Sequence, residues 1–551
     1  MRNLLFIFVL SLLCAGIYAR EEAIRVDSFL SNVSASDTTR GDELYRYGLE
    51  AFRAARYDVA VRYWKDAARG GHLSAQCNLG TCYSKGLGVG QNHRKAADLY
   101  GKAARKGHSV AQCNLGNCYL NGSGVEQDFS EAVNWYILSS EQGNLKAITS
   151  LGVCYRFGEG IERNPEKAVE CFMKAARSGY ADAQYELAGC YYNGIGVRIN
   201  FEKAHFWYGQ AAEQGHVAAQ RSLAVCYENG DGCIPDKKVA SILYRKAAMQ
   251  GDAESQYILS EMLLYGDGVE QDCNEAVEWL IKASAQGHVK AQSLLAGCYF
   301  EGNGVQQNYR KAFEWYREAA NNGCIYAICQ LAGCYYSGYG VNANIDKAIM
   351  YYEKAADGGN ADAQYFLAEC YRYGDGVEPS SATAYDWYSL AAEQEHPEAM
   401  NDLGVFFYEG IVVEQDYGKA FELFSKSAKS GNVDALFNLA NCHCLGHGVE
   451  QDYLAAARWF IRAAEKGHVE AQYNLGILYY KGMGVTQSYS ESVKWYSKAA
   501  AEGHPAAQYD LGVCYYNGKG VERNCDEAVK WWKSAVRLGD DNARKALRDI
   551  E

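Results

Sequence analysis

The sequence predicts an all-α solenoid of stacked 36-residue helix-turn-helix repeats. Three observations predict it. The stretch Gly71 to Lys106 returns at a fixed 36-residue spacing with no insertion or deletion. Each copy holds two segments whose apolar residues recur every three or four positions. A Gly-x-Gly step separates the two segments in nearly every copy. Copies begin at Gly71, Gly107, Gly143, Gly179, Gly215, Gly251, Gly287, Gly323, Gly359, Glu395, Gly431, Gly467 and Gly503, and a partial copy begins at Gly539. Residues are placed below by copy position, with Gly71 as position 1.

The first segment, helix A, is expected over about Ser74 to Lys85, with Ala75, Leu79 and Tyr83 on one stripe. Its core stripe is expected at positions 5, 9, 12 and 13. Gly86 and Gly88 then break the helix and permit positive φ. Val412 replaces the second glycine in one copy, which predicts a different turn there. Next comes a residue of N-cap type in every copy: Asn92, Asp128, Asn164, Asn200, Asp236, Asp272, Asn308, Asn344, Ser380, Asp416, Asp452, Ser488 and Asn524. Pro165 suits the first helical position. Helix B carries Ala96, Leu99, Tyr100, Ala103 and Ala104, a stripe with small residues for close helix approach. Neither helix buries its stripe alone, so stability has to come from stacking.

The pattern A-Q-x-x-L-G-x-x-Y-x-x-G-x-G-V, then K-A-x-x-W-Y-x-K-A-A-x-x-G, resembles the Sel-1-like repeat family, a relative of the tetratricopeptide repeat. Good matches run from Ala183 to Gly215, Ala471 to Gly503 and Ala507 to Trp532. The resemblance covers nearly all of residues 71–551. It implies a right-handed α-solenoid superhelix and a protein-protein interaction role, often as an adaptor. Met262-Leu263 and Phe406-Phe407 depart from the usual Cys-aromatic pair as swaps of packing residues.

Met1 to Ala19 has a positive Arg2, an apolar run from Leu4 to Leu13 and a small residue at the cleavage position. It reads as a signal peptide, too short to span a bilayer. Residues 20–41 read as a polar linker. Residues 42–70 read as a divergent first repeat and cap, lacking the Gly-x-Gly step and so forming a tighter hairpin. Residues 71–538 are thirteen repeats, and 539–551 a polar C-terminal capping helix. The mature chain is expected to be exported: secreted or periplasmic, or in an ER lumen, where Asn32 and Asn121 would head glycosylation sequons. No later apolar run is long enough to insert in a membrane. A net charge of −13 argues against nucleic acid and anionic membrane surfaces.

Twenty cysteines in an exported chain first suggest a disulfide framework. Ten of them share position 12: Cys82, Cys118, Cys154, Cys190, Cys226, Cys298, Cys334, Cys370, Cys442 and Cys514. Stacked helices lie about 8–10 Å apart, beyond the roughly 7 Å Cα limit for a bridge. The column is therefore expected to be reduced core. Cys171, Cys233, Cys273, Cys324, Cys444 and Cys525 stay open to an isolated bond. Cys442, His443, Cys444 and His447 offer zinc-ligand types, but four ligands in six residues at a helix end make poor tetrahedral geometry. No metal and no cofactor are expected. The Gly-x-Gly-Val steps lack the strand and lysine of a phosphate loop, and no nucleophile-elbow, zincin or kinase motif is present.

Positions 4, 7, 11 and 14 form a second face of helix A. By resemblance to tetratricopeptide arrays, it lines the concave groove. Candidate binding residues are Tyr185, Tyr365, Tyr473 and Tyr509 at position 7, with Tyr192, Tyr480 and Tyr516 at position 14. The reading is an exported, non-enzymatic scaffold for a protein or peptide. Its alternatives are a cysteine-rich Sel-1-like hydrolase of the β-lactamase-like type, which lacks a Ser/Lys or Cys/His pair at a supporting spacing, and a structural envelope component.

Overall fold

The computed structural model describes residues 40–550. Among them every regular element is an α-helix, 29 in all. The signal-like segment and the linker up to residue 39 lie outside the described residues. The chain forms two compact units, one ending at Asp272 and one beginning at Cys273. Within each unit, helix A packs on its own helix B, and helix B packs on the next helix A. The first full copy shows the pattern, with helix A at Leu73–Lys85 and helix B at His93–Ala104.

Helix B starts where an N-cap side chain is available. In twelve copies, from Asn92 to Asn524, the expected Asn, Asp or Ser is seen accepting a bond from a first-turn amide, as Asn92 does from the Lys95 N–H at 2.9 Å. Asn144, Asp252, Asn360 and Asn432 cap helix A in the same way, but seven other copies use a cap that the sequence reading missed. Seven histidines at position 2 accept the position-5 N–H on Nδ1 at 3.0–3.2 Å: His72, His108, His216, His288, His396, His468 and His504. Each imidazole is thereby fixed as the tautomer with its proton on Nε2.

Helix A ends on a left-handed glycine, such as Gly86 at φ +74. Two residues later the chain comes against the preceding repeat. A Cβ on Gly124 would lie 2.2 Å from the His93 carbonyl oxygen, so the close approach of the two repeats favours glycine and a larger residue fits only if the neighbouring backbone gives way. Val412 corrects the expectation of a different turn: it keeps φ at +66, in the same loop as its glycine counterparts. The packed repeats impose the turn, and the β-branched residue carries the strain.

Within each unit the core runs along the stacked repeats. Position 9 is leucine in every copy and buried in every copy, from Leu79 to Leu511. Position 10 is small because the position-30 ring lies on it: a Cβ on Gly476 would meet the Tyr496 ring at 2.5 Å. Met262 and Phe406 are buried like the cysteines they replace. Position 13 departs from the expected core stripe, being half-buried in most copies. In several copies the ring face is covered by the lysine of the K-A motif, as with Lys95 over Tyr83 at 5.5 Å and Lys167 over Tyr155 at 5.4 Å.

All ten cysteines of the position-12 column are buried, and all 19 described cysteines are free thiols. Burial pushes the Cys82 thiol up to about 12. The off-register cysteines form no disulfide either.

A glutamine staple ties three helices together. At position 6, Gln184 is buried and donates Nε2 to the Ala176 carbonyl of the preceding helix B at 3.2 Å. Its Oε1 accepts from Gln214, at position 36 of its own copy, at 2.7 Å. The same bond joins Gln142 to Gln112, Gln250 to Gln220, Asn322 to Gln292 and Gln394 to Gln364. Three copies have the glutamine without an amide at position 36: Lys106, Glu502 and Leu538 stand there instead. In those three, Gln76, Gln472 and Gln508 each leave a buried Oε1 with no partner.

The N-terminal boundary of the described chain differs slightly from expectation. Arg40 and Gly41, read as linker, already belong to a helix, Arg40–Arg53. Tyr57–Arg69 follows after a three-residue turn in which Ala55 sits at φ +55. The last helix, Asp541–Ile550, buries Ala543 in a cluster with Trp532, and Tyr509, Ala546 and Leu547 pack against that cluster.

Candidate interaction surface

The candidate tyrosines begin at position 7. In the first unit, Tyr185 stacks on His216, the cap of the next helix A, with centroids 4.8 Å apart. The imidazole Nε2 faces the Asp182 carboxylate at 3.5 Å. In the second unit the same three-part contact joins Tyr365, His396 and Asp362, and Tyr473, His504 and Glu470. Phe437, His468 and Asp434 repeat it. The hydrogen bond from His468 holds the Asp434 carboxyl below the usual carboxylate range. Each position-7 ring thus packs its own repeat against the next. Tyr473 also donates its hydroxyl to Asp510 at 3.1 Å. Tyr509 has no histidine after it and packs instead on the Trp532 cluster.

Position 14 makes a second inter-repeat contact, thirty-nine residues forward, to the middle residue of the next Gly-x-Gly loop. Tyr192 donates to Asp231 at 2.7 Å, and Tyr336 to Asp375 at 3.1 Å. Tyr408 meets His447 at 2.8 Å, and Tyr480 accepts from Lys519 at 2.8 Å. Tyr516 lies on Trp532 at 5.5 Å. All seven candidate tyrosines are half-buried. Tyr185 and Tyr192 belong to the first unit and the other five to the second.

The residues flanking those rings are more open, and the sequence reading passed over them. Phe366 at position 8 is 45% exposed and Tyr373 at position 15 is 64% exposed. Glu369 lies between them on the same face of helix Ala361–Tyr373. Tyr388 donates its hydroxyl to Glu369. On the neighbouring helix Pro397–Glu409, Asp402 takes an ion pair from Arg372 at 3.3 Å. Burial and the Glu369 charge raise the Asp402 carboxyl to about 6 despite that guanidinium.

The cysteine-histidine run is dispersed. Cys442 is fully buried, His443 meets the edge of Phe421, and His447 stacks on Tyr417 at 4.2 Å. Among the described residues no group of His, Cys, Asp and Glu is arranged to hold a metal. A cavity of about 410 Å³ lies between helices Phe201–Glu213, Val217–Asn229 and Lys237–Met249, lined by His205, Phe206, Tyr227 and Lys246 among others. Among the described residues no helix is long and apolar enough to cross a membrane.

The Sel1 repeat family matches thirteen consecutive segments, the first at residues 73–108 and the last at 505–540. The chain belongs to the Sel1 repeat family. A protective antigen of uropathogenic Escherichia coli with an SLR fold is similar at 30% identity, over 83% of this chain and 97% of that one, with a TM-score of 0.69. A Sel1 repeat protein from Oxalobacter formigenes is 29% identical over 56% of this chain and 90% of that one, with a TM-score of 0.43. Comparison with curated proteins finds no match. Membership agrees with the repeat solenoid, a fold typical of protein-protein interaction scaffolds.

Proposed function

We propose that this Sel1 repeat chain is an exported, non-enzymatic scaffold that holds a protein or peptide against the inner face of its A helices. One observation carries the reading. Position 9 is leucine in all thirteen copies, whereas position 8, one residue before it, is Asn, Ser, Glu, Ile, Leu, Gln, Phe or Asp. A face that served packing alone would repeat with the core. A face that varies copy by copy presents a particular surface to a particular partner. The candidate tyrosines take a divided part in it. Position 7 shapes the wall between repeats, and position 14 sets hydroxyls beside the loops. Export rests on the signal-like first nineteen residues, and the similarity to a protective antigen fits it.

The test is peptide-display selection on the immobilised chain. Selected binders are then measured against Tyr480→Ala and Tyr516→Ala on the inner face, and Lys426→Ala and Arg462→Ala on B helices. An inner anchor should lose about 2 kcal/mol or more of binding while the B-helix pair stays near neutral. Binders that track the B-helix residues would refute the reading.

A further inference from the structure

Helices Ala361–Tyr373 and Pro397–Glu409 carry Asp362, Glu369, Glu398, Asp402 and Glu409 against one cation, Arg372. They are joined by the Arg372–Asp402 pair and by His396, which lies 3.3 Å from Asp362 and 3.6 Å from Glu398. Arg372 is already committed, and it is largely buried at 22% side-chain exposure. Glu398 and Glu409 are exposed, as are Phe366 and Tyr373. Down one face run Asp362, Phe366, Glu369 and Tyr373, spaced by four, three and four residues. Phe366 keeps its exposure even though one face stacks on Tyr352 at 5.6 Å.

We propose that this aromatic helix face docks an extended basic segment of a partner, with one arginine or lysine side chain lying on Phe366 and another on the outer face of Tyr373, whose other face carries Arg372 at 5.4 Å, and with their cations directed to the nearest of Glu369, Glu398 and Glu409. The occupant is chosen by charge complementarity. An exposed ring attracts an apolar or a cationic side chain, and five carboxylates against one guanidinium favour the cation. An acidic segment would meet like charge on both helices. The surplus is felt inside the protein as well, because Arg372 does not offset the burial and carboxylate repulsion acting on Asp402. Arginine satisfies both features at once, its plane on a ring and its fork on a carboxylate.

This inference rests on the scaffold reading, and the experiment separates the two. The full chain is titrated with a labelled peptide alternating arginine and serine, and with a matched glutamate and serine peptide, at low and raised salt. Two double variants probe the face: Phe366→Ser with Tyr373→Ser, and Glu398→Gln with Glu409→Gln. The second is isosteric and lies on exposed positions, so the fold persists. The control removes as much charge elsewhere, with Glu202→Gln and Glu353→Gln on B helices. The basic peptide should bind and the acidic one should not. Each face variant should weaken binding by about tenfold or more, and the control by less than about twofold. Failure of the basic peptide to bind, or equal weakening by the control, overturns the proposal. If display-selected peptides depend on Phe366 and Tyr373 yet carry no excess of Arg or Lys, the basic occupant is wrong and the scaffold reading stands. If no selected peptide responds to any A-helix substitution, the scaffold reading falls with it.

Discussion

Replacing Glu502 by glutamine should tighten the seam around Gln472. Gln472 is buried and donates to the Ala464 carbonyl at 3.2 Å, but its Oε1 has no partner. In five copies that have an amide at position 36, that oxygen accepts a bond of 2.7–3.1 Å. Glu502 is exposed and caps the C-terminal end of helix Tyr489–Ala501, where a carboxylate faces the negative end of the helix dipole. Glu502→Gln therefore adds one buried hydrogen bond, about 0.5–1.5 kcal/mol, and removes an unfavourable charge worth about 0.3–1 kcal/mol. The sum is about 1–2 kcal/mol. A single seam in so long an array moves a global melt little, because its stability is a sum of local terms. Native-state hydrogen exchange reads it locally. Amides of helices Val469–Lys481 and Tyr489–Ala501 should exchange roughly 5–30-fold more slowly. Glu502→Ala removes the charge without supplying an amide, so it should slow exchange by less than about fivefold. The converse, Gln214→Ala, orphans Gln184 and should cost about 1–3 kcal/mol. If Glu502→Gln slows exchange no more than Glu502→Ala does, the staple contributes nothing and the reasoning fails.

Two other predictions concern strain and pH. Val412→Gly should stabilise its repeat by roughly 0.5–1 kcal/mol: it relieves the left-handed cost of about 1–2 kcal/mol and returns part as unfolded-state freedom. Exchange in helix Pro397–Glu409 checks this, and faster exchange would contradict it. His108→Asn should overtake the parent as pH falls. Burial, with help from His72, lowers the proton affinity of folded His108 below its ordinary value of 6.5. The unfolded chain therefore takes up the proton first, so the His108 contribution is complete above about 6.5 and shrinks below it. Asn144 shows that asparagine caps the same position without titrating. Melts at several pH values should show the gap moving in favour of the variant on acidification; a gap that stays flat would refute the assignment.

The repeat made most of the fold legible. The constant Leu79 column, the Asn92 column of caps and the Gly86 breaks each name a local structure through a local cause. What escaped was partnership at long range. Gln184 looked like a polar residue on a helix, because its partner Gln214 lies thirty residues away. The signal was present within the one chain: copies with Ile148, Ile328, Met400 or Leu436 at position 6 have no amide at position 36. Val412 misled for the opposite reason, since its own preference lost to the stack. The candidate surface was legible as a face and less so residue by residue. Tyr185 and Tyr473 were read from their spacing, but their histidine partners His216 and His504 belong to the following copies. Phe366 and Tyr373 occupy positions whose identity changes from copy to copy, so a search for recurring columns passed over them.

The central claim is that the varying inner face of the A helices is where a partner sits. Hydrogen exchange of the full chain, with and without a display-selected binder at saturation, tests it most directly. The account predicts that added protection gathers in A helices and their Gly-x-Gly loops, with helix B amides such as those of Tyr453–Glu465 changing little. Protection confined to B helices, or a bound ligand that protects the cavity beside His205 and nothing on the inner face, would contradict it.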